Sequence, residues 1–459
     1  MENIIIYSLT FLAVLLAGFT FTGKSWSNSI QNFLFANRSL TVLTAGAAIS
    51  SHWIWAIALF VGPTLAYNWG LIGLLWFAIP NAMSLIILGL IIYKIRNNYP
   101  NGFSLTEYIK ENFSKKVASL YQLELIIVAF GALLLGFTAI SKLWAFTSLS
   151  SIIEPIYASL IVGVITMLFT IKGGIRTSII TGTLQTLLWL TFLGTVMFML
   201  VSGDANILTA GKNNLTSVFD YKFLTTIGIA YFITISASAT GHGHLWQKAF
   251  SMPKENIIPS FVIGAVLFAI IIMSFMSLSL FSFTQNFSIT GPDTSALTGI
   301  IQLLGVGGLV LFGVLFVGQT STVIDSTMNY IASLVTLEWF NKKDVWVSRL
   351  VMFVFMLTAW IISWSKLEIW TIMMLMGSIR TVMFVPLILH VLGNKLKEQV
   401  VFYTSVISIA GAFYFAFIAK IDKLPVFDMY SALYGVFVPF TIYFVYKLLS
   451  KEQLIIQTK

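Results

Sequence analysis

Apolar residues in this chain come in long runs, and polar residues gather in short stretches between them. Runs of roughly 17 to 25 mostly apolar residues, the length that crosses a hydrocarbon core as a helix, are read at 4–21, 43–67, 71–93, 117–144, 156–171, 179–201, 223–239, 257–281, 308–337, 347–364, 369–392, 400–418 and 430–448. The pattern predicts an all-α polytopic membrane protein of about thirteen transmembrane helices. Residues 103–116 read as an amphipathic cytoplasmic helix and 294–304 as a short external one. Two spans break the apolar rule in their middle. The first carries Ser50-Ser51-His52 and then Gly62-Pro63; the other runs into Ser236-Ala237-Ser238-Ala239-Thr240-Gly241-His242-Gly243-His244. An unpaired backbone group costs several kcal/mol in lipid, so such stretches survive only inside protein or against a water-filled cavity. Interrupted helices in matching places are the trace of an inverted repeat. The repeats are expected at 41–201 and 222–393, with one extra helix at 4–21 and two more within 399–449.

Composition sharpens this picture. With 58% hydrophobic and 9% charged residues among 459, the chain has too little charge to cover a soluble domain. The net charge of +9 reports topology. Arg38, Lys94, Arg96, Lys110, Lys115, Lys116, Lys172, Arg176, Lys248, Lys254, Lys342, Lys343 and Arg349 fall on one side, against Lys212, Lys222, Lys366, Lys420 and Lys423 on the other. By the positive-inside bias this sets the N-terminus outside and the C-terminus in the cytoplasm of a cell (inner) membrane. It calls for no nucleic-acid partner. The run at 4–21 lacks a basic flank and a small-residue cleavage site, so it reads as a retained helix. Without cysteine there is neither disulfide nor thiol chemistry. No nucleophile–base pair, metal cluster or phosphate loop stands out, so neither an enzyme nor a cofactor is expected. Nothing in the pattern fixes a number of subunits.

A series of short motifs then recurs in a specific order: Phe35-Ala36-Asn37-Arg38-Ser39-Leu40, Pro63 to Gly70, Phe103 to Tyr108, Gly173-Gly174-Ile175-Arg176 into Thr181 to Gln185, Gln247-Lys248, and Thr320 to Ser326. In these the chain resembles the sodium:solute symporter family, and Trp53-Ile54-Trp55-Ala56 looks closest to its urea-permease branch. The resemblance implies a LeuT-type 5+5 inverted repeat that imports a small organic solute through the lipid bilayer by alternating access, coupled to sodium. It places sodium on the carbonyls of Ser51 and Ile54, with the Gln319 carbonyl and hydroxyls of the 308–337 span. Alignment on Asp325 puts the family's hydroxyl pair at Thr322 and Val323, which loses one oxygen; alignment by residue type puts it at Ser321 and Thr322. Hydroxyls that bond only to their own helix are the bland alternative. Some relatives carry a further sodium site through an aspartate after the threonine of the 179–201 span, where this chain has Gly182, so at most one ion is expected. One sodium ion falling through ~100 mV releases about 2.3 kcal/mol, and a tenfold gradient adds about 1.4. That is enough for several hundredfold accumulation, roughly.

Ile57 and Ala58 stand where the resemblance implies sugar-binding side chains, which disfavours a polyhydroxylated solute. His52, Trp53, Trp55 and Ser236 are candidate walls or gates of the solute site. Arg380 is costly at mid-span, about 2.5 to 3.5 kcal/mol on insertion scales. It calls for a partner, either Asp325 or a substrate carboxylate. Glu124 and Lys142 read as snorkelling or paired structural groups near helix ends. His242, His244 and His390 are placed toward cytoplasmic ends, and no metal beyond sodium is expected of them. A proton role for His52 or Asp325, a uniporter, and a transporter-shaped solute sensor are the competing readings.

Overall fold

The computed structural model describes residues 29–55, 58–100, 102, 104–145, 153–202, 220–289, 291–365, 372, 376–377, 379–394, 396–422 and 426–457, with backbone alone at 226, 416–432 and 450–457. The expected span at 4–21, Ile57, the loop 203–219 and much of 366–378 lie outside them. No strand occurs among the described residues. In chain order the helices are α1 (Ile30–Phe35), α2 (Val42–Trp53), α3 (Ala58–Trp69), α4 (Leu71–Asn98), α5 (Leu105–Asn112), α6 (Lys115–Ala145) and α7 (Pro155–Ser202). They continue as α8 (Ile229–Ser238), α9 (Gly243–Phe250), α10 (Ile257–Thr284), α11 (Ser295–Leu334), α12 (Val345–Ser363), α13 (Phe384–Val391), α14 (Glu398–Asp422) and α15 (Val426–Gln457).

Six helices among the described residues are long and apolar enough to cross a membrane, or seven if the bent pair α2 and α3 is one span. Two of these long elements each join two stretches that the sequence pattern separates. In α7, Gly174 adopts φ 58° and ψ −144°, a conformation open essentially to glycine alone, and turns one crossing into the next. A Cβ there would lie 2.1 Å from the Phe33 carbonyl oxygen, so α1 seats against the bend. Arg176 secures that seat by donating to Asn32 Oδ1 (3.0 Å), the Ala36 carbonyl (3.0 Å) and Ser39 Oγ (2.9 Å). This accounts physically for the Gly-Gly-Ile-Arg and Ala-Asn-Arg motifs lying far apart in sequence. Gly305, at φ 64° and ψ −162°, bends α11 between the expected external helix and its crossing.

Packing puts α2 and α11 at the centre: α10 lies against α2, α3 and α4, and α11 lies against α6, α7 and α10. Apolar side chains such as Leu90, Phe198, Val266 and Tyr403 face outward and exposed, as a lipid-facing belt requires. Lys142 forms an ion pair with Asp293 (3.3 Å), both partly exposed, in agreement with a paired group near a helix end. Glu124 departs from that expectation. It is 2% exposed, and neither carboxylate oxygen has a hydrogen-bond partner among the described residues.

Candidate functional site

Two broken helices meet at the centre of the bundle. α2 stops at Trp53, Ile54 leaves the helix at φ −80° and ψ 83°, and the axis of α3 is turned by 67° from that of α2. α8 runs through one 3-10 turn, Ala239–Gly241, and breaks at His242 (φ −92°, ψ 82°) before α9 resumes. Each break frees backbone groups that helices ordinarily pair. Ser50 to Trp55 and Ser236 to Phe250 are accordingly all buried in protein.

The side chains around these breaks form a ring. Trp53 and Trp55 stand edge-on to His242, with centroids 4.9 and 4.8 Å away. His244 lies 5.4 Å from His242 and 6.2 Å from both Trp55 and His52. Arg380 donates from Nη1 to His242 Nε2 at 3.1 Å. A guanidinium can only donate, so this contact fixes the lone pair on Nε2 and the proton on Nδ1 of His242. Trp53 Nε1 donates to Asn81 Oδ1 (3.1 Å), and Asn81 Nδ2 donates to the Tyr231 hydroxyl (2.7 Å). Four buried polar atoms of the ring have no partner among the described residues: Arg380 Nε, His242 Nδ1, Trp55 Nε1 and His244 Nε2; Ser236 Oγ, earlier on α8, has none either. The expectation that Asp325 partners Arg380 does not hold, because His242 takes that place. His242 and His244 sit at the break of the helix, since α9 continues beyond them to Phe250.

Asp325 belongs to a second, adjoining cluster. Its Oδ1 accepts from Ser178 Oγ at 2.6 Å, and its Oδ2 from Thr181 Oγ1 at 3.1 Å. Lys248 donates to Ser326 Oγ at 2.7 Å, and Ser326 Oγ lies 2.7 Å from Ser178 Oγ, so a hydrogen-bonded line joins lysine to aspartate. Reading Lys248 as a basic group of a cytoplasmic loop is therefore corrected: it is 1% exposed on α9. His52 reaches this cluster, with Nε2 at 3.3 Å from Ser178 Oγ and 3.7 Å from Asp325 Oδ1, while its Nδ1 bonds the Ala48 carbonyl. A Cβ on Gly182 would come within 3.0 Å of His52 Cε1. The histidine ring thus fills the space that a side chain at position 182 would need.

The oxygens expected to hold sodium are brought partly together. Gln319 Nε2 donates to the Ser51 carbonyl and, at 3.2 Å, to Ser51 Oγ, tying α11 to the end of α2. Ser321 Oγ and Thr322 Oγ1 bond the carbonyls of Val317 (2.9 Å) and Gly318 (3.1 Å) in their own helix. Both hydroxyls also line a small cleft between α7 and α11 with Thr181 and Gln185. Gln185 Oε1 has no partner among the described residues. Hydroxyl and amide oxygens are the donor set a hard monovalent cation takes, so the residues present fit sodium. Ile54 lies at the break itself, outside regular helix.

Sequence reading missed His242, His244, Lys248, Ser178, Asn81 and Gln185 as participants. For the histidines and Lys248 a signal was present. A Gly-His-Gly-His stretch inside an apolar run has the same irregularity as Ser-Ser-His, and Gln247-Lys248 was visible as a motif.

A membrane bundle whose two interrupted helices enclose a polar ring has the architecture of a secondary transporter. The chain belongs to the sodium:solute symporter family, whose description matches residues 33–337. It is similar to "Probable urea active transporter 3" of Schizosaccharomyces pombe, 23% identical over 344 residues, covering 66% of this chain and 50% of that one. The chain thus spans about half the length of that curated relative. Its fold matches that of a Na+-coupled sialic acid symporter in a substrate-bound outward-open state, at a TM-score of 0.75 and 16% identity over 96% of both chains. MhsT in complex with L-phenylalanine also aligns, at a TM-score of 0.58 and 14% identity over 89% of this chain and 98% of the other. The likenesses to solved structures define an all-α LeuT-type fold.

Proposed function

We propose that this protein is a secondary active symporter that carries a small organic solute into the cell, taking it up at the α2/α3 and α8/α9 breaks. The observation that carries this reading is the buried ring of Trp53, Trp55, His242, His244 and Arg380, which leaves polar atoms without a partner among the described residues where both helices are interrupted. Unpaired buried polar groups are costly unless a ligand completes them. Alternating access follows from rocking of the repeat 41–201 against 222–393, with the N-terminus outside and the C-terminus in the cytoplasm. The relative named for urea supports a solute of a few heavy atoms.

One sodium ion drives the cycle in this reading, held by the Ser51 and Ile54 carbonyls, Gln319, Ser321 and Thr322, with Thr181 and Gln185 beside it. The test is the melting temperature of the purified protein in sodium against potassium at equal ionic strength. Sodium at about a hundred times its dissociation constant stabilises by about 2.7 kcal/mol. The sodium-specific rise is expected to vanish in Thr322→Ala, and sodium-driven uptake with it. Equal melting in both salts, with uptake indifferent to sodium, overturns sodium coupling.

Proton coupling is a second reading, favoured by the hydrogen count around His52. Ser178 gives its only proton to Asp325, Ser326 then donates to Ser178, and Lys248 donates to Ser326. His52 Nδ1 must carry a proton toward the Ala48 carbonyl, so Nε2 meets only acceptors, Ser178 Oγ and Asp325 Oδ1. A proton on Nε2 completes that network. In this case uptake follows an inward proton gradient, and His52→Gln abolishes the dependence.

A further inference from the structure

Resting on the transporter reading, we infer that the solute recognised at the helix breaks is a small carboxylate, not a neutral amide. The first ground is charge. Among the described residues no carboxylate forms an ion pair with Arg380: its guanidinium donates to the neutral imidazole of His242, with the Tyr231 hydroxyl as its other polar neighbour. Asp325 is turned away toward Ser178 and Thr181. A lone cation in a water-poor site gains most from an anion that can take two parallel hydrogen bonds.

The second ground is the balance of donors and acceptors. Arg380 Nε, Trp55 Nε1 and His242 Nδ1 are all N–H donors, and all three lack a partner among the described residues. The His242 assignment follows from its Nε2 accepting from Arg380. Against these three obligatory donors stands His244 Nε2, able to accept. A carboxylate is acceptor-only and satisfies such a site, whereas a urea-like amide brings N–H groups that would oppose N–H groups. Leaving a buried donor unpaired is what makes a site reject the wrong solute.

Matched probes of one shape and two charges test this. The purified full-length protein is titrated in detergent with acetate against acetamide, benzoate against benzamide, and urea, following melting temperature and tryptophan fluorescence. A saturable response to a carboxylate and none to its amide or to urea is expected. Arg380→Lys is expected to weaken it about tenfold or more, because an ammonium cannot reproduce the planar fork, and Arg380→Gln to abolish it. Folding of each variant is verified by its retained response to the coupling ion. A response to the amides or urea with none to the carboxylates overturns the inference while leaving the transporter reading intact. No response to either class also overturns it. Failure of the transporter reading is read separately, as the absence of gradient-driven uptake of every probe by proteoliposomes.

Discussion

Asp325→Ala is expected to lower the stability of the protein by about 3 to 5 kcal/mol, the range for removing one member of a buried charge pair, and to abolish uptake. Asp325 is 0% exposed and Lys248 1% exposed, linked through Ser178 and Ser326. Alanine leaves the ammonium without a counter-charge, and it strips acceptors from Ser178 and Thr181 at once. The pair also ties α7, α9 and α11 together, so its loss frees α9 from the helices that its end must move with. Lys248→Met in the Asp325→Asn background removes both charges and keeps the shapes. It is expected to recover much of the lost stability, since buried pairs replaced together are often nearly neutral. Melting of the four proteins as a double-mutant cycle checks this. A parent-like melting temperature in Asp325→Ala would show that Lys248 finds its compensation elsewhere.

The crossings were legible because lipid imposes a length and an apolarity on every spanning helix. The two breaks were legible for the same reason, since Ser-Ser-His and Ser-Ala-Ser-Ala-Thr-Gly cannot face lipid. Where the second helix resumes was not legible. Gly243 to Phe250 contains His244, Gln247 and Lys248, and read alone it has the composition of a cytoplasmic loop. Only the tertiary partners Ser326, Leu34 and Thr240, which take up Lys248, Gln247 and Trp246, make it a buried helix. The charge pairing was opaque for a related reason. Composition offers Asp325 as the counter-charge of Arg380, but the line of small hydroxyls through Ser178 and Ser326 joins the aspartate to Lys248. Gly182 carried its information as an absence. The resemblance marks Gly182 as the place of an aspartate in some relatives, and the structure sets the His52 ring close beside it, 3.0 Å from where a Cβ would lie.

His52 connects the two clusters. Its ring lies 6.2 Å from His244 in the solute ring, and its Nε2 lies 3.7 Å from Asp325 in the charged line. Ser51, the preceding residue, is bound by Gln319. In the proposed reading, movement of the α2 end on solute binding reaches the cleft between α7 and α11 and the charged line together. Coupling of this kind needs only that two sites bias the same element.

The close approach of α8's final turn to Arg380 leads to a second large effect. A Cβ at Gly241 would lie 2.3 Å from Arg380 Cβ, 2.7 Å from its Cα and 2.9 Å from its carbonyl oxygen. These include backbone atoms, so Gly241→Ala cannot be absorbed by turning a side chain, and Arg380 must shift bodily from His242. Overpacking of this sort costs about 1 to 3 kcal/mol. The larger consequence is functional, because a hydrogen bond of 3.1 Å between Arg380 and His242 does not survive a displacement of an ångström or more. Solute binding is expected to fall by about a hundredfold, the scale of a misplaced binding group. The coupling-ion response, which depends on α2, α7 and α11, is expected to persist. Gly194→Ala is the matched control, since a Cβ there meets nothing within 4 Å and alanine favours the helix. Titration of both variants with solute and with ion separates the two sites. Unchanged solute affinity in Gly241→Ala would mean that Arg380 does not hold the solute and that recognition lies with the aromatic and histidine side chains alone.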